Sequence, residues 1–225
     1  MKLTTKIPLL ILLLGFLSCT KGGGNIYVEG RVYNPVTGEG IPDVKINLTK
    51  AKVGGAPASQ SGGYKTVKSV TTNAEGYYEI THSTILLQDY YIRVEEPADY
   101  YSLGFIDGEG NYQNGSLFKV NKSKNTYVGY EAISFAKIKY IISNNNCTGS
   151  TDKLVLYEES LSASEYFIDA GWQHDGCVNF ESDYLGVPMG RLALRWEVTK
   201  NITTTTYHDT IYLEEGEQRV YEINY

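Results

Sequence analysis

The sequence has few of the residues that most often carry enzymatic chemistry. Its 225 residues contain only 3 His, 3 Cys, 2 Trp and 2 Met. The histidines, His82, His174 and His208, are far apart along the chain, and no nucleophile-elbow or metal-binding helix motif surrounds any of them. We therefore predict that the protein is not an enzyme and that it holds no metal ion or other cofactor.

Concentrated positive charge is also missing. The chain has 20 Lys and Arg against 26 Asp and Glu, a formal net charge of -6, and its basic residues form no cluster. Because binding to phosphates needs clustered Lys and Arg, no nucleic-acid partner is expected. The charged fraction of 20% is low while Gly (23) and Tyr (20) are abundant, which argues against a disordered chain or a coiled coil.

The apolar segment near the N-terminus is too short to cross a membrane as a helix. It runs over 11 residues, from Ile7 to Leu17. A helix of that length spans about 17 Å of a hydrocarbon core that is roughly 30 Å thick. Lys2 and Lys6 precede the segment, and Cys19 follows it closely. This order of residues predicts an export signal.

The tetrapeptide FLSC, which ends at Cys19, resembles the lipobox of bacterial lipoproteins, with Phe16 where that family usually has Leu. In that family the cysteine is lipidated and becomes the new N-terminus. The resemblance implies a signal peptide over residues 1–18, a lipid anchor on Cys19 and a glycine-rich tether over residues 19–25. The alternative is an ordinary secretory signal with an incidental cysteine.

The lipobox resemblance also implies a location. Without Lys2 and Lys6, the 20 basic side chains become 18 against 26 acidic ones, so the mature side-chain charge is -8. An acidic chain does not adhere to an anionic membrane by charge, so acyl chains would hold it there. Thr20 rather than Asp follows the cysteine, and lipoprotein sorting rules then imply the outer membrane of a bacterial cell envelope. Both the periplasmic and the surface face are compatible with the sequence.

Cys147 and Cys177 are predicted to form a disulfide, because an exported protein folds in an oxidising compartment. Closing a loop between positions 30 apart would restrict the unfolded chain by roughly 3.5 kcal/mol. Two free thiols or metal ligands are the alternatives. Zinc normally takes four ligands, and only His174 is nearby, so the disulfide is favoured.

Beyond residue 25 the sequence consists of short alternating segments separated by Gly, Asn, Asp and Pro, and no helical period persists. In the first segment, residues 26–33, Ile26, Val28 and Val32 share one face. The alternation predicts that they point inward, while Tyr27 points to the other face. We therefore predict an all-β chain.

Four spaced elements then carry a family resemblance: G-x-V at residues 30–32, NPVTGEGIPDVKINL, TTNAEGYYEI and YYIRV. In this order they resemble the carboxypeptidase regulatory-like domain. That resemblance implies a Greek-key β-sandwich of the transthyretin (prealbumin) type over residues 26–130, with further strands at 116–120 and 126–130. The domain boundary is expected near residues 129–132. Such domains are accessory modules on many exported proteins, so the resemblance predicts fold and not activity.

A second strand pattern begins at Ser134 and is clearest where Leu192, Leu194 and Trp196 alternate with polar residues. About seven strands in roughly 95 residues predict an immunoglobulin-like sandwich over residues 131–225. The whole chain is therefore predicted to be two tandem β-sandwiches.

The abundant tyrosines suggest a binding surface. Several occur as doublets, and adjacent residues in a strand point to opposite faces, so each strand doublet places one ring outward. Outward rings, with Tyr27, Tyr33 and Tyr91 among them, would form a surface for stacking sugars or for packing a protein partner. The competing interpretation, that tyrosine is simply a good strand former with a soluble edge, is favoured.

A second candidate is the string GWQHDGC, in which Trp172, His174 and Asp175 would line a pocket beside a disulfide at Cys177. The competing interpretation, a loop that the disulfide holds in place, is favoured.

Together these features predict a non-enzymatic, lipid-anchored cell-envelope protein that acts as an interaction or spacer module. The alternative function is a carbohydrate-binding lipoprotein of a glycan-uptake system, with the exposed tyrosines as its contact surface. The expected partners are the membrane, through the N-terminal lipid anchor, and envelope proteins or glycans.

Overall fold

The computed structural model describes residues 24–51, 63–85, 87–122, 124–163 and 167–225. These residues contain strands, turns and loops but no helix, which confirms the all-β prediction. No helix in this part of the chain is therefore long and apolar enough to span a membrane. Cys19 and the predicted signal peptide lie outside the described residues.

The described residues form sixteen strands, which are β1 (Asn25–Tyr33), β2 (Lys45–Ala51), β3 (Tyr64–Thr71), β4 (Tyr77–Ser83), β5 (Tyr90–Val94), β6 (Tyr100–Asp107), β7 (Tyr112–Gln113), β8 (Phe118–Lys119), β9 (Asn125–Ser143), β10 (Lys153–Ser160), β11 (Phe167–Asp175), β12 (Asn179–Glu181), β13 (Leu185–Pro188), β14 (Gly190–Lys200), β15 (Thr203–Leu213) and β16 (Gln218–Asn224).

These strands belong to two compact units. Unit 1 contains the described residues of 24–32, 41–95 and 105–130, and unit 2 those of 33–40, 96–104 and 131–225. The predicted first domain is one contiguous range, whereas two short segments within that range belong to unit 2. The strand predicted over residues 126–130 is also longer than expected, because β9 continues without a break to Ser143.

Unit 1 is built from two sheets, with strand orders β4-β1-β9-β6-β7 and β3-β2-β5-β8. The predicted alternation in β1 is confirmed, since its even-numbered residues from Ile26 to Val32 are buried and the others are not. Aromatic contacts connect the sheets: the rings of His82 and Tyr90 are 5.6 Å apart, and those of Phe105 and Phe118 are 5.7 Å apart. The core of unit 1 therefore lies between the two sheets.

Gly30 allows β1 and β9 to come unusually close together. A Cβ atom at this position would lie 1.9 Å from the carbonyl oxygen of Val128 and 2.8 Å from Cε1 of Tyr78. Real Cβ atoms do not make such contacts, so only glycine fits. The close packing predicted for Gly30 from the sequence is thus present in the structure.

Unit 2 also contains two groups of paired strands. In one, β9 pairs antiparallel with β12 and β13 and parallel with β16, and the other has the order β11-β10-β14-β15. The ring of Tyr140 on β9 is 5.9 Å from that of Trp172 on β11. The core between the two groups consists of twelve buried residues, which are Ala136, Ile138, Tyr140, Ile142, Leu154, Leu156, Val187, Leu192, Leu194, Val198, Leu213 and Ile223.

A disulfide and a buried carboxylate stabilise one end of unit 2. Cys147 and Cys177 are bonded, with their Cα atoms 5.3 Å apart, as predicted. Nearby, the fully buried Asp152 accepts hydrogen bonds from the backbone N–H of Thr148, from the Thr148 hydroxyl and from Nδ2 of Asn144. These bonds lower the pKa of Asp152 to about 2, and the bond from the Thr148 hydroxyl has the largest effect.

The hairpin between β14 and β15 is long and regular. Asn201 and Ile202 form its two-residue turn, and both have positive φ, 46° and 65°, as a type I′ turn requires. The pairing then runs from Lys200 opposite Thr203 to Gly190 opposite Leu213 without a register shift. Residues 203–210 of β15 are all exposed.

Candidate functional site

A surface groove in unit 1 lies on the outer face of β4, β1 and β9. Its volume is about 490 Å³. Two tyrosine rings stand on this face with much of their surface accessible, Tyr77 at 52% and Tyr127 at 36%. The residues that line the groove are Glu29, Gly30, Asn73, Tyr77, Tyr78, Glu79 and Tyr127.

The Tyr77–Tyr78 doublet shows how strand alternation builds this groove. Tyr78 points inward and is only 6% exposed, and its hydroxyl donates a hydrogen bond of 2.7 Å to the carbonyl of Val128. Burial raises the pKa of Tyr78, so its phenol stays protonated and keeps donating. Tyr77 directly precedes Tyr78 in the same strand, so its side chain must point outward. The doublet therefore provides one ring for the core and one for the surface, as the sequence predicts.

Arg31 supports the outward ring of Tyr77. The guanidinium carbon lies 5.3 Å from the centre of the Tyr77 ring, a distance typical of a cation–π contact. Nε of Arg31 also donates a 3.0 Å hydrogen bond to the carbonyl of Glu75. These contacts hold Arg31 beside the ring, and one positive charge therefore borders the groove.

Tyr127 contributes the second ring from β9. A Cβ atom at Gly129 would lie 3.4 Å from Cε1 of Tyr127 and 2.6 Å from Cγ2 of Ile106, so glycine leaves the space these side chains occupy. Burial, and next the neighbouring Tyr77, raise the pKa of Tyr127. Tyr127 is thus a neutral, hydrogen-bonding ring at neutral pH.

Two carboxylates also line the groove. Glu29 on β1 and Glu79 on β4 are directly opposite each other in the antiparallel pair. Tyr27 donates a 3.1 Å hydrogen bond to Oε2 of Glu29. This bond, with the charges of both glutamates, raises the pKa of Tyr27. Like charges in direct cross-strand positions repel each other, so hydrogen-bond donors or a positive group on a ligand would relieve the repulsion.

The groups that line the groove are suited to binding a ligand. It offers aromatic faces, two carboxylates and the amide of Asn73, but neither a Ser or Cys nucleophile nor a histidine. Among the residues that the structure describes, no group of three or more His, Cys, Asp or Glu side chains could hold a metal ion.

The three tyrosines singled out in the sequence lie in different places. Tyr27 borders the groove through its bond to Glu29. Tyr91 lies on β5, in the other sheet of unit 1, with its ring 5.2 Å from that of Tyr64. Tyr33 belongs to unit 2, where its hydroxyl donates a hydrogen bond to the carboxylate of Glu131. Each of the three thus has its own set of neighbours.

The string GWQHDGC does not form the loop that the sequence suggests. Residues 171–175 are the second half of β11, paired with β10. Trp172 and His174 alternate with polar residues and so share one face: Trp172 packs against the core of unit 2, and the His174 ring is 4.5 Å from that of Phe180. Burial lowers the pKa of His174. Both aromatic side chains therefore contribute to packing.

Sequence reasoning missed most of the groove. Glu29, Glu79 and Tyr127 come from three strands, and only the pairing of β1 with β4 and β9 brings them together. The one available signal was the doublet at residues 77–78, which correctly implied an outward ring.

Comparison with known proteins identifies no family. No family model matches the chain, and no curated protein matches its sequence. Solved structures with a similar arrangement include the minor pilin GBS52 of Streptococcus agalactiae, with 12% identity, a TM-score of 0.35, and coverage of 88% of this chain and 94% of that one. A DUF3823 family protein from Bacteroides uniformis has 12% identity, a TM-score of 0.31, and coverage of 85% and 100%. These low scores indicate a distant likeness between β proteins and say nothing about function.

Proposed function

We propose that the protein is a non-enzymatic, lipid-anchored cell-envelope protein that acts as an interaction module. The observation that carries this proposal is the groove of unit 1, where Tyr77 and Tyr127 remain exposed beside the opposed carboxylates of Glu29 and Glu79. Large exposed aromatic rings next to polar groups are typical of contact surfaces. The lipobox-like sequence at Cys19 supports the anchor.

The anchor is tested by expressing the full-length chain with Cys19→Ser in a bacterium that processes lipoproteins. We expect this variant to lose both incorporation of a labelled fatty acid and membrane fractionation. Thr20→Ser, which leaves the cysteine in place, is the matched control and should retain both. A Cys19→Ser variant that is still acylated would contradict the anchor.

The alternative function is carbohydrate binding in a glycan-uptake system, and the composition of the groove favours this choice of ligand. A sugar ring presents an apolar C–H face that stacks on an aromatic ring, and its hydroxyls donate hydrogen bonds to carboxylates. Tyr77 and Tyr127 would provide the stacking faces, and Glu29 and Glu79 the acceptors.

A glycan array probed with the mature chain, with Cys19→Ser to keep it soluble, distinguishes the two functions. Saturable sugar binding that Tyr77→Ala and Tyr127→Ala each weaken by about tenfold or more would support a glycan-binding role. Tyr184→Ala, which removes a ring of unit 2 that is 42% exposed, should leave binding unchanged. If no sugar binds, the protein-interaction role is favoured.

A further inference from the structure

β15 is the outer strand of the sheet β11-β10-β14-β15 in unit 2, and it has an unusually open environment. Its only strand partner among the described residues is β14. Eight consecutive residues, 203–210, are exposed. A strand that is eleven residues long and accessible along one edge presents a row of backbone donors and acceptors for another strand.

The hairpin geometry shows which backbone groups face this edge. In a two-residue hairpin, the residues that flank the turn, here Lys200 and Thr203, exchange both of their backbone hydrogen bonds. The pattern then alternates. The backbone N–H and C=O groups of the odd-numbered residues of β15 bond to β14, and those of the even-numbered residues point away from β14, toward the open edge. In agreement, the N–H of Thr210 donates to the Asp209 carboxylate, at 2.7 Å, instead of to β14. The outward set is Thr204, Thr206, His208, Thr210 and Tyr212.

The features that normally protect an edge strand are nearly absent from β15. Natural edges are blocked by lysines, prolines, bulges or short strand length. β15 contains no Lys, Arg, Pro or Gly, and its pairing with β14 has no bulge. Its single acidic residue, Asp209, accepts a 2.6 Å hydrogen bond from the hydroxyl of Tyr221 and a 2.7 Å bond from the outward N–H of Thr210, so one backbone donor of the edge is capped within the strand.

We propose that this edge is a dimer interface, at which β15 pairs antiparallel with β15 of a second copy of the chain. The register that uses the full strand is centred on His208. It brings Thr206 opposite Thr210 of the second copy, a cross-strand pair that favours strand association. It also places Asp209 opposite Tyr207 of the other copy, so the two carboxylates do not meet.

This pairing explains the exposure of β15. The register centred on His208 places the five outward residues opposite the same set in the second copy. Thr210 exchanges its N–H bond to Asp209 for a bond to Thr206 of that copy, and the four-stranded sheets of two copies become one continuous sheet. The pairing also covers Tyr207, which is 45% exposed although its ring stacks on Trp196 at 5.7 Å. Strand addition of this kind derives its affinity from main-chain hydrogen bonds.

The oligomeric state is measured by sedimentation equilibrium of the mature chain carrying Cys19→Ser, over a concentration series. We expect a reversible dimer. His208→Lys puts two positive charges opposite each other at the centre of the interface and should weaken dimerisation by about tenfold or more. Thr66→Lys, at an exposed position of β3 in unit 1, is the control and should leave the dimer intact. A chain that stays monomeric throughout the series overturns the proposal.

Cysteine crosslinking tests the register. In the proposed pairing, position 208 lies opposite itself at a Cα separation of about 5.5 Å, which a disulfide spans. His208→Cys should therefore oxidise rapidly to a covalent dimer. Position 206 of one copy lies roughly 13 Å along the strand from position 206 of the other, so Thr206→Cys should not. Equal crosslinking of the two variants would refute this register, and circular dichroism confirms that both are folded.

Discussion

In unit 1, Tyr77 and Tyr127 stand on the outer face of a sheet with about half and a third of their surface exposed, whereas Tyr140 of unit 2 is completely buried. The same residue type thus forms part of a surface at residues 77 and 127 and part of a core at residue 140. What differs is the environment of the strand face. The outer face of β1 and β4 carries Glu29 and Glu79, while the ring of Tyr140 contacts Trp172 and Tyr221.

The two units also differ in the features that stabilise them. Unit 1 depends on a close approach of backbone at Gly30. Unit 2 has the Cys147–Cys177 bond and the Asp152 hydrogen bonds at one end. The units should therefore respond to different perturbations, and the predictions that follow are arranged from the largest expected effect to the smallest.

The largest effect is expected from Tyr140→Ala in unit 2. Removing a fully buried aromatic side chain costs about 3–5 kcal/mol through lost burial and the cavity that remains. Urea denaturation followed by tryptophan fluorescence reports on it, since Trp172 and Trp196 are both in unit 2. A loss below about 1 kcal/mol would mean that the ring is not a core residue.

The second-largest loss of stability is expected from removing the disulfide. The double variant Cys147→Ser/Cys177→Ser is expected to lose roughly 3.5 kcal/mol of unfolding free energy, because the unfolded loop is no longer closed. The same denaturation measurement applies, and wild-type protein in reducing agent is the matched comparison. If reduction leaves the midpoint unchanged, the bond does not stabilise unit 2.

Gly30→Ala tests the close approach in unit 1. The added Cβ would meet the Val128 carbonyl at 1.9 Å, and because backbone cannot rotate away, we expect a loss of about 3 kcal/mol. Gly186→Ala on β13 is the control, since its Cβ would meet nothing closer than 3.9 Å, and it should change stability by less than about 0.5 kcal/mol. Thermal unfolding monitored by circular dichroism separates the two variants.

A smaller, pH-dependent effect is expected from Glu158, a core-facing carboxyl on β10 that is 2% exposed. Neither of its oxygens makes a hydrogen bond of ordinary geometry to a described residue, and burial raises its pKa above the usual 4.5, an effect that the phenol of Tyr140 partly offsets. The folded state therefore binds this proton more tightly than the unfolded state does. The resulting stability is complete below pH 4.5 and is lost as the pH rises through the folded pKa.

Asp152 has the opposite dependence. Its pKa is lowered from 3.8 to about 2, so its contribution is present above pH 3.8 and is lost as the pH falls through 2. Between pH 3.8 and 4.5 the contributions of both carboxyl groups are therefore present. Glu158→Gln should remove the decline above pH 4.5, which we expect to be a few degrees in Tm, about 2–4 °C. A Tm that changes with pH between 4.5 and 7 in the same way in the wild type and in Glu158→Gln would contradict this assignment.

The smallest stability effect is expected from Tyr77→Ala. Because half of this ring is already in contact with water, its removal should cost less than about 1 kcal/mol, although it removes a wall of the groove. Together with Tyr140→Ala, this variant gives the cleanest contrast between the units. A loss comparable to that of Tyr140→Ala would show that Tyr77 serves the fold and not a surface.

Local alternation made much of the fold predictable. The buried face of β1, the Gly30 position and the turn after Lys200 were all readable because each depends on neighbours within a few residues. The outcome for Trp172 and His174 shows the limit of such reasoning. A short string with Gly at both ends resembles a loop, yet pairing with β10 makes residues 171–175 a strand.

The groove was less predictable, for a related reason. The opposition of Glu29 and Glu79 depends on the register between β1 and β4, strands that are separated by more than forty residues of sequence. Alternation shows which face a side chain occupies but not which side chain of another strand lies beside it. The continuity of β9 was missed because strict alternation breaks in this region, where residues 128–130 and 132–134 are buried as consecutive neighbours.

The Cys147–Cys177 bond makes the stability of unit 2 depend on the compartment in which the chain resides. A contribution of roughly 3.5 kcal/mol corresponds to a factor of several hundred in the ratio of folded to unfolded molecules. In a reducing cytoplasm the newly made chain would lack that factor, and it would gain it only after reaching an oxidising space. For a protein with the export proposed here, the crosslink would delay final folding until transport is complete.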